Sequence, residues 1–141
     1  VPRASTQDIV DTDITATNVT DAQQMISQTF VVPAESSGKD ALPNSRLITG
    51  CVATIDSGSA GSGTGVMVIE RVLVSTRTTV FAIPFYYDSQ KGLVVTIPVV
   101  DAASLTYSAT YTYAIRVYKT SGSGALRIGG ASISILGTKG R

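Results

Sequence analysis

From residue 28 onward, apolar and polar residues alternate in short runs punctuated by Gly, Pro, Asn and Ser. A period of two predicts strands, and no stretch after residue 27 carries a helical period. The clearest run is 106–119. Tyr107, Ala109, Tyr111, Tyr113, Ile115 and Val117 share one face, and Thr106, Ser108, Thr110, Thr112 and Arg116 share the other. That is a strand with one buried side. Further strands are read at 28–33, 47–55, 65–75, 78–87, 93–100 and 125–136. Pro84 lacks the N–H a central strand must donate, so 78–87 belongs at an edge or contains a bulge. Pro98 sits near the end of 93–100. In the last strand Leu126 and Ile128 have one parity, and Ala131, Ile133 and Ile135 the other. The phase slips at Gly129-Gly130, which predicts a β-bulge that returns all five to the core.

Loops separate these runs. Residues 35–45 hold Gly38, Pro43 and Asn44, and 56–65 (DSGSAGSGTG) read as a flexible Gly/Ser loop. Residues 88–92 (DSQKG) read as a hairpin loop, 120–124 as a turn and 137–141 as a polar tail. Residues 1–27 are different: polar, poor in large apolar side chains, without a clean period. Thr20 followed by Gln23 resembles a capping box, which predicts a short helical turn over 21–27. The rest of that stretch reads as an extended arm with little to bury by itself.

Seven strands joined by short turns predict an all-β fold, an antiparallel β-sandwich of jelly-roll or immunoglobulin-like topology. The expected organisation is an extended N-terminal arm over 1–27 and a sandwich domain over 28–141. At 141 residues the chain suits one core.

Charge changes this picture. Only 15% of residues are charged although 43% are hydrophobic, and mean hydropathy is +0.25. Soluble domains usually carry about 25% charge. No apolar run approaches the roughly 20 residues of a membrane helix, so no membrane partner is expected. Either Ser, Thr and Gly supply a neutral surface, or much surface is buried against other copies, since interface cores are depleted in charge. Homo-oligomerisation is therefore expected. Net charge is +1. The arm holds Arg3 alone against Asp8, Asp11, Asp13 and Asp21, and Lys139 and Arg141 are too few to bind phosphates, so neither terminus is expected to bind nucleic acid.

Catalytic chemistry lacks its usual parts. There is no histidine, hence no common general base or triad, and one cysteine cannot build a zinc site. The eight Asp and two Glu are scattered. Gly58–Gly65 lacks the Lys-Ser/Thr of a phosphate loop, and Asp11-Thr12-Asp13 lacks the glycine and glutamate of a calcium loop. The expectation is no enzyme activity, no catalytic residues, no cofactor and no metal. Cys51, within LITGCVATI, reads as a small buried hydrophobe; with no apolar signal core in the first residues, it points to assembly in a reducing compartment.

Two pairs of residues stand out. Glu70-Arg71 interrupts an apolar strand and reads either as a guard against edge aggregation or as a pair of charges meeting opposite charges across a subunit interface. Tyr86 and Tyr87 lie at a strand end beside Phe85 and read as candidate ligand contacts, because exposed rings stack on sugars. Tyr107, Tyr111 and Tyr113 read as cross-strand packing.

The segment QTFVVPAESS (28–37), the Gly/Ser loop at 56–65 and the Tyr-rich strand at 106–118 resemble, in style, the small structural proteins of tailed-phage virions: capsid decoration or cement proteins, head fibres and tail-associated sandwiches. The resemblance carries no site residues. It implies a bacteriophage virion structural protein, assembled in the host cytoplasm, that self-assembles or decorates a capsid or tail through the β-sandwich and the N-terminal arm, with other virion proteins as partners. A carbohydrate- or receptor-binding module, with glycan as partner, is the alternative.

Overall fold

Strand sequences that alternate along their length need a second sheet to cover the apolar side, and the chain supplies two. A computed structural model describes residues 3–32 and 45–137. Among them run eight strands: β1 (Arg3–Asp13), β2 (Gln23–Val31), β3 (Arg46–Ile55), β4 (Ser62–Leu73), β5 (Thr76–Asp88), β6 (Leu93–Asp101), β7 (Thr110–Gly122) and β8 (Arg127–Gly137). One sheet has the order β1-β8-β3-β6 and the other β2-β7-β4-β5, with all pairings antiparallel. Only β4 and β5 are consecutive in one sheet; every other connection crosses the sandwich. That is the jelly-roll arrangement, so the choice left open between jelly roll and immunoglobulin-like is decided.

The inner faces make the core. Tyr113, Ile115 and Val117 of β7 meet Ile48 and Val52 of β3, Met67 and Ile69 of β4 and Ile128, Ile133 and Ile135 of β8, all buried. The expected bulge is present. Ala53 pairs Gly130 while Thr54 pairs Ile128, so Gly129 is skipped, and Leu126, Ile128, Ala131, Ile133 and Ile135 are all buried. A side chain at Gly129 would start 2.5 Å from Ile55 Cγ2, which is why glycine stands there. Pro84 lies on β5 and Pro98 on β6, both edge strands, as the missing N–H requires.

Several expectations need correction. Within 1–27, residues 3–13 are extended but form β1, paired along β8 from Arg3↔Leu136 to Asp13↔Arg127. A boundary at 27/28 cuts β2. No helical turn follows Thr20: the Gln23 amide accepts from the Thr15 and Ala16 N–H groups at 2.6 and 3.0 Å and donates to Asp13 O at 3.1 Å. Met25 and Ile26 are neighbours yet both buried, because the register with β7 shifts between Gln24 and Ile26. Tyr107 precedes β7 in a turn. The 88–92 segment is a crossing from β5 to β6 and not a hairpin; the hairpin is at Val74, between β4 and β5. The Gly/Ser loop is held in place. Ser57 N–H donates to Ser89 O at 2.8 Å, Ser89 N–H to Gly61 O at 2.9 Å, and Ala125 N–H to Ser59 Oγ at 3.0 Å. Gly63 and Gly122 pack backbone on backbone, and a Cβ at Gly63 would come within 2.2 Å of Ser121 O. The loop read at 35–45 lies, except for Ser45, outside the described residues.

Candidate assembly surface

A sandwich offers two outer faces, and here their chemistry differs. On β2-β7-β4-β5 the outward residue Glu70 is only 2% exposed. Arg77 of β5 and Arg116 of β7 hold it, with N–O distances of 2.7 and 2.6 Å. The two guanidiniums also donate to carbonyls of the β1–β2 connection: Arg77 to Thr20 and Val19 at 2.8 and 3.0 Å, Arg116 to Ala22 at 2.9 Å. Residues 14–22 thus form a strap across this face, and Val68 and Ala114, which share it by register, are fully buried.

Arg71, on the opposite side of β4, points between the sheets. Its Nη1 lies 2.5 Å from Asp101 Oδ2. Tyr113 Oη donates to the same oxygen at 2.6 Å, and Arg46 Nε donates to Tyr113 Oη at 2.8 Å. Arg46 also reaches Asp101 at 3.3 Å and Ala103 O at 2.7 Å. Arg46 and Asp101 are cross-strand partners in one sheet, and Arg71 and Tyr113 in the other, so this network ties the layers together. Burial pushes the Asp101 carboxyl up, but hydrogen bonds from Tyr113, Arg71 and the Ala103 amide outweigh it and hold the group below its usual value. Burial, reinforced by Asp101, pushes the Tyr113 hydroxyl well up.

Glu70 and Arg71 therefore both have partners within the chain. Tyr86 and Tyr87 also separate: Tyr86 is 82% exposed, whereas Tyr87 is 3% exposed and its hydroxyl donates to Ser123 O and Gly124 O at 3.3 and 3.4 Å. Adjacent strand residues face opposite ways, so the pair never formed a common platform. Asp13, read in the arm, accepts from Arg127 Nε at 2.8 Å, a bond that holds its carboxyl below the usual range.

The outer face of β1-β8-β3-β6 was not anticipated. The registers arrange it in rows across the strands. At one end stand Arg3, Leu136, Leu47 and Val100. Next come Ser5, Ser134, Thr49 and Pro98, then Gln7, Ser132, Cys51 and Thr96. At the other end stand Ile9, Gly130, Ala53 and Val94. Arg3, at one corner, is the one charged residue in these rows. The middle rows are small and neutral, with shallow depressions between β1, β8 and β3, one of them edged by Asp8 of β1. The end rows hold exposed apolar side chains, Ile9 at 87% and Val94 at 65% among them. Cys51 is half-buried on this face; the expectation of a core cysteine fails because Ile48, Gly50 and Val52 have the inward parity. The available signal was the alternation Leu47, Thr49, Cys51, Ala53 in β3.

No protein-family model and no curated protein matches the sequence. Solved structures do match in fold. The globular domain of zebrafish complement 1qA protein aligns over 99% of this chain and 100% of its own, with TM-score 0.57 and 10% identity. The infectious bursal disease virus particle of T13 form gives TM-score 0.51 at 12% identity, over 97% of this chain and 32% of that one. The same virus's VP2 protein, from T=1 particles, gives 0.50 at 10% identity, over 96% and 32%. The chain is a jelly roll. It spans about a third of the viral proteins it matches, and at these identities the likeness is one of fold. The sandwich shares its architecture with viral capsid proteins and with a complement globular domain. Among the described residues no helix is long and apolar enough to cross a membrane.

Proposed function

We propose that the chain is a virion structural protein that self-assembles, or decorates a capsid or tail, through the β1-β8-β3-β6 face. The observation that carries this reading is that face itself: four strands wide, free of charge across its centre, apolar at both ends and, among the described residues, without a covering strap. Interfaces are depleted in charge at their centre, and a shell adds many weak identical contacts through multivalency. The capsid-like fold supports the reading, as does the low total charge. Tailed-phage origin, other virion proteins as partners and assembly in the host cytoplasm belong to the same proposal. A free, half-buried Cys51 suits a reducing compartment. Residues 3–13 are β1 of their own sandwich, so assembly is assigned to the sheet face and not to a free arm.

Light scattering of the purified chain over a concentration series is expected to show growth to oligomers or closed particles. A monomer at every concentration, in the presence of candidate shell proteins as well, overturns the proposal.

One observation favours the alternative of a glycan- or receptor-binding module. Tyr86 projects beside a shallow groove lined by Asp88, Lys91 and Leu93, giving a ring, a carboxylate and an ammonium together. Under that reading Tyr86→Ala abolishes binding on a glycan array with the melting temperature unchanged. A blank array for the unmodified chain removes this alternative.

A further inference from the structure

We infer that the occupant of the neutral face is a second copy of this chain, stacked sheet on sheet about a two-fold axis that crosses the strands at the level of Gly50. The inference rests on the assembly reading above and adds the partner, the symmetry and the register.

A residue near a two-fold axis meets its own copy or a close neighbour of it. A charged residue there would face its like, and like charges brought together cost several kcal/mol. The β2-β7-β4-β5 face, with Glu70 and two arginines under a strap, is unsuited to this. On the β1-β8-β3-β6 face the rows from Ser5 to Ile9 across to Val94 hold no charge, and Arg3, at the corner of the Leu136 row, comes by a two-fold rotation to the Ile9 position and not to its own copy. It offers a foreign protein little charge pattern to recognise, and it sets no like charges against each other between copies.

The rows are also complementary to themselves. Thr6, Ile133, Gly50 and Ile97 lie side by side across the sheet, midway between the two neutral rows. Rotation about a line through them lays each end row on the other. Leu136 then faces Gly130, Leu47 faces Ala53, and Val100 faces Val94. Two large leucines meet the two smallest residues of the opposite row. In the middle Ser134 faces Ser132, and Thr49 faces Cys51. Packed sheets cross at about 30°, which moves the end rows sideways by about one strand spacing and leaves the centre nearly in place.

Four strands and the span of these rows make a footprint of roughly 500–600 Å² per copy. The pair then buries about 1,000–1,200 Å², the lower limit for a specific interface. Such a contact is concentration-dependent in a pair and firm when repeated in a shell.

Sedimentation velocity of the full chain over a concentration series tests this, with the melting temperature measured alongside. The chain is expected to dimerise as the first step. Ser132→Arg, in the neutral centre, is expected to weaken dimerisation about tenfold or more with the melting temperature unchanged. Thr49→Cys is a second, milder variant. It places a thiol opposite Cys51 of the other copy, so diamide is expected to give a covalent dimer faster than it does with the unmodified chain. Association that Ser132→Arg leaves intact and Thr49→Cys fails to trap means that assembly uses another surface, and it overturns this inference while the assembly reading stands. A monomer at all concentrations overturns both.

Discussion

Asp101→Ala is expected to destabilise the fold by about 3–5 kcal/mol, because it takes the carboxylate from Arg71 and Tyr113 between the sheets and one partner from the buried Arg46. Arg46 is 1% exposed and Arg71 17%, so water relieves little of the loss. For a domain of this size the melting temperature falls by about 10–20 °C. The pH dependence has a definite sign. Asp101 titrates below its ordinary 3.8 in the folded chain. Its contribution is therefore fully present above pH 3.8 and lost as pH falls through the lower folded value. Tyr113 is displaced the other way, far above its ordinary 10.0, because burial and the Asp101 carboxylate favour the protonated hydroxyl. Its contribution is present below pH 10.0 and lost as pH rises toward the folded value. Thermal melts are expected to show a stable window bounded by those two values. Asp101→Ala removes the acid limb that this carboxylate supplies. A melting temperature within a degree or two of the unmodified chain would show that the network contributes little.

Much of the sandwich was legible because backbone rules act locally. A proline cannot donate in a central ladder, so Pro84 had to lie at an edge or a bulge, and it lies on the edge strand β5. A slipped phase at adjacent glycines means a bulge, and Gly129 is that bulge. The alternation through Tyr111, Tyr113, Ile115 and Val117 announced a half-buried strand. By contrast β1 was read only as an extended arm, because an edge strand needs few apolar residues. Its outward Ile9 is exposed, its inward Thr6 hydrogen-bonds to Gln28, and its ladder to β8 is made of backbone. The adjacent Met25 and Ile26 look helical in sequence because a bulge lets both turn inward. The buried ion groups could not be assembled in advance. Arg46, Arg71, Asp101 and Tyr113 lie far apart along the chain and meet only once the registers of both sheets are set. The neutral face was written plainly in β3, but its meaning depends on which parity faces the core. Cys51 was assigned to the wrong side for that reason.

Glu70→Ala is expected to be the second large loss, about 3 kcal/mol, toward the lower end for a broken buried pair because both arginines keep some contact with water. Arg77 is 29% exposed and Arg116 20%, while Glu70 is 2% exposed. The effect should be local before it is global. The two guanidiniums are the groups that bond the carbonyls of Val19, Thr20 and Ala22, and Glu70 fixes them both. Without it the strap 14–22 loses its anchors, and amide exchange and proteolysis at those residues should rise at temperatures where the rest of the sandwich is intact. Glu70→Gln keeps the shape and removes the charge, and it should open the strap to a lesser degree. Unchanged exchange across 14–22 in Glu70→Ala would mean that the strap is held by its own packing, through Ile14, Ala16 and Ala22, and not by the ion cluster. The same variant separates the two faces. The strap closes the charged side of the sandwich, whereas association is assigned to the neutral side. Below its melting temperature Glu70→Ala should therefore still dimerise as the unmodified chain does. Were opening the strap to abolish dimerisation, the charged side would have to be part of the contact.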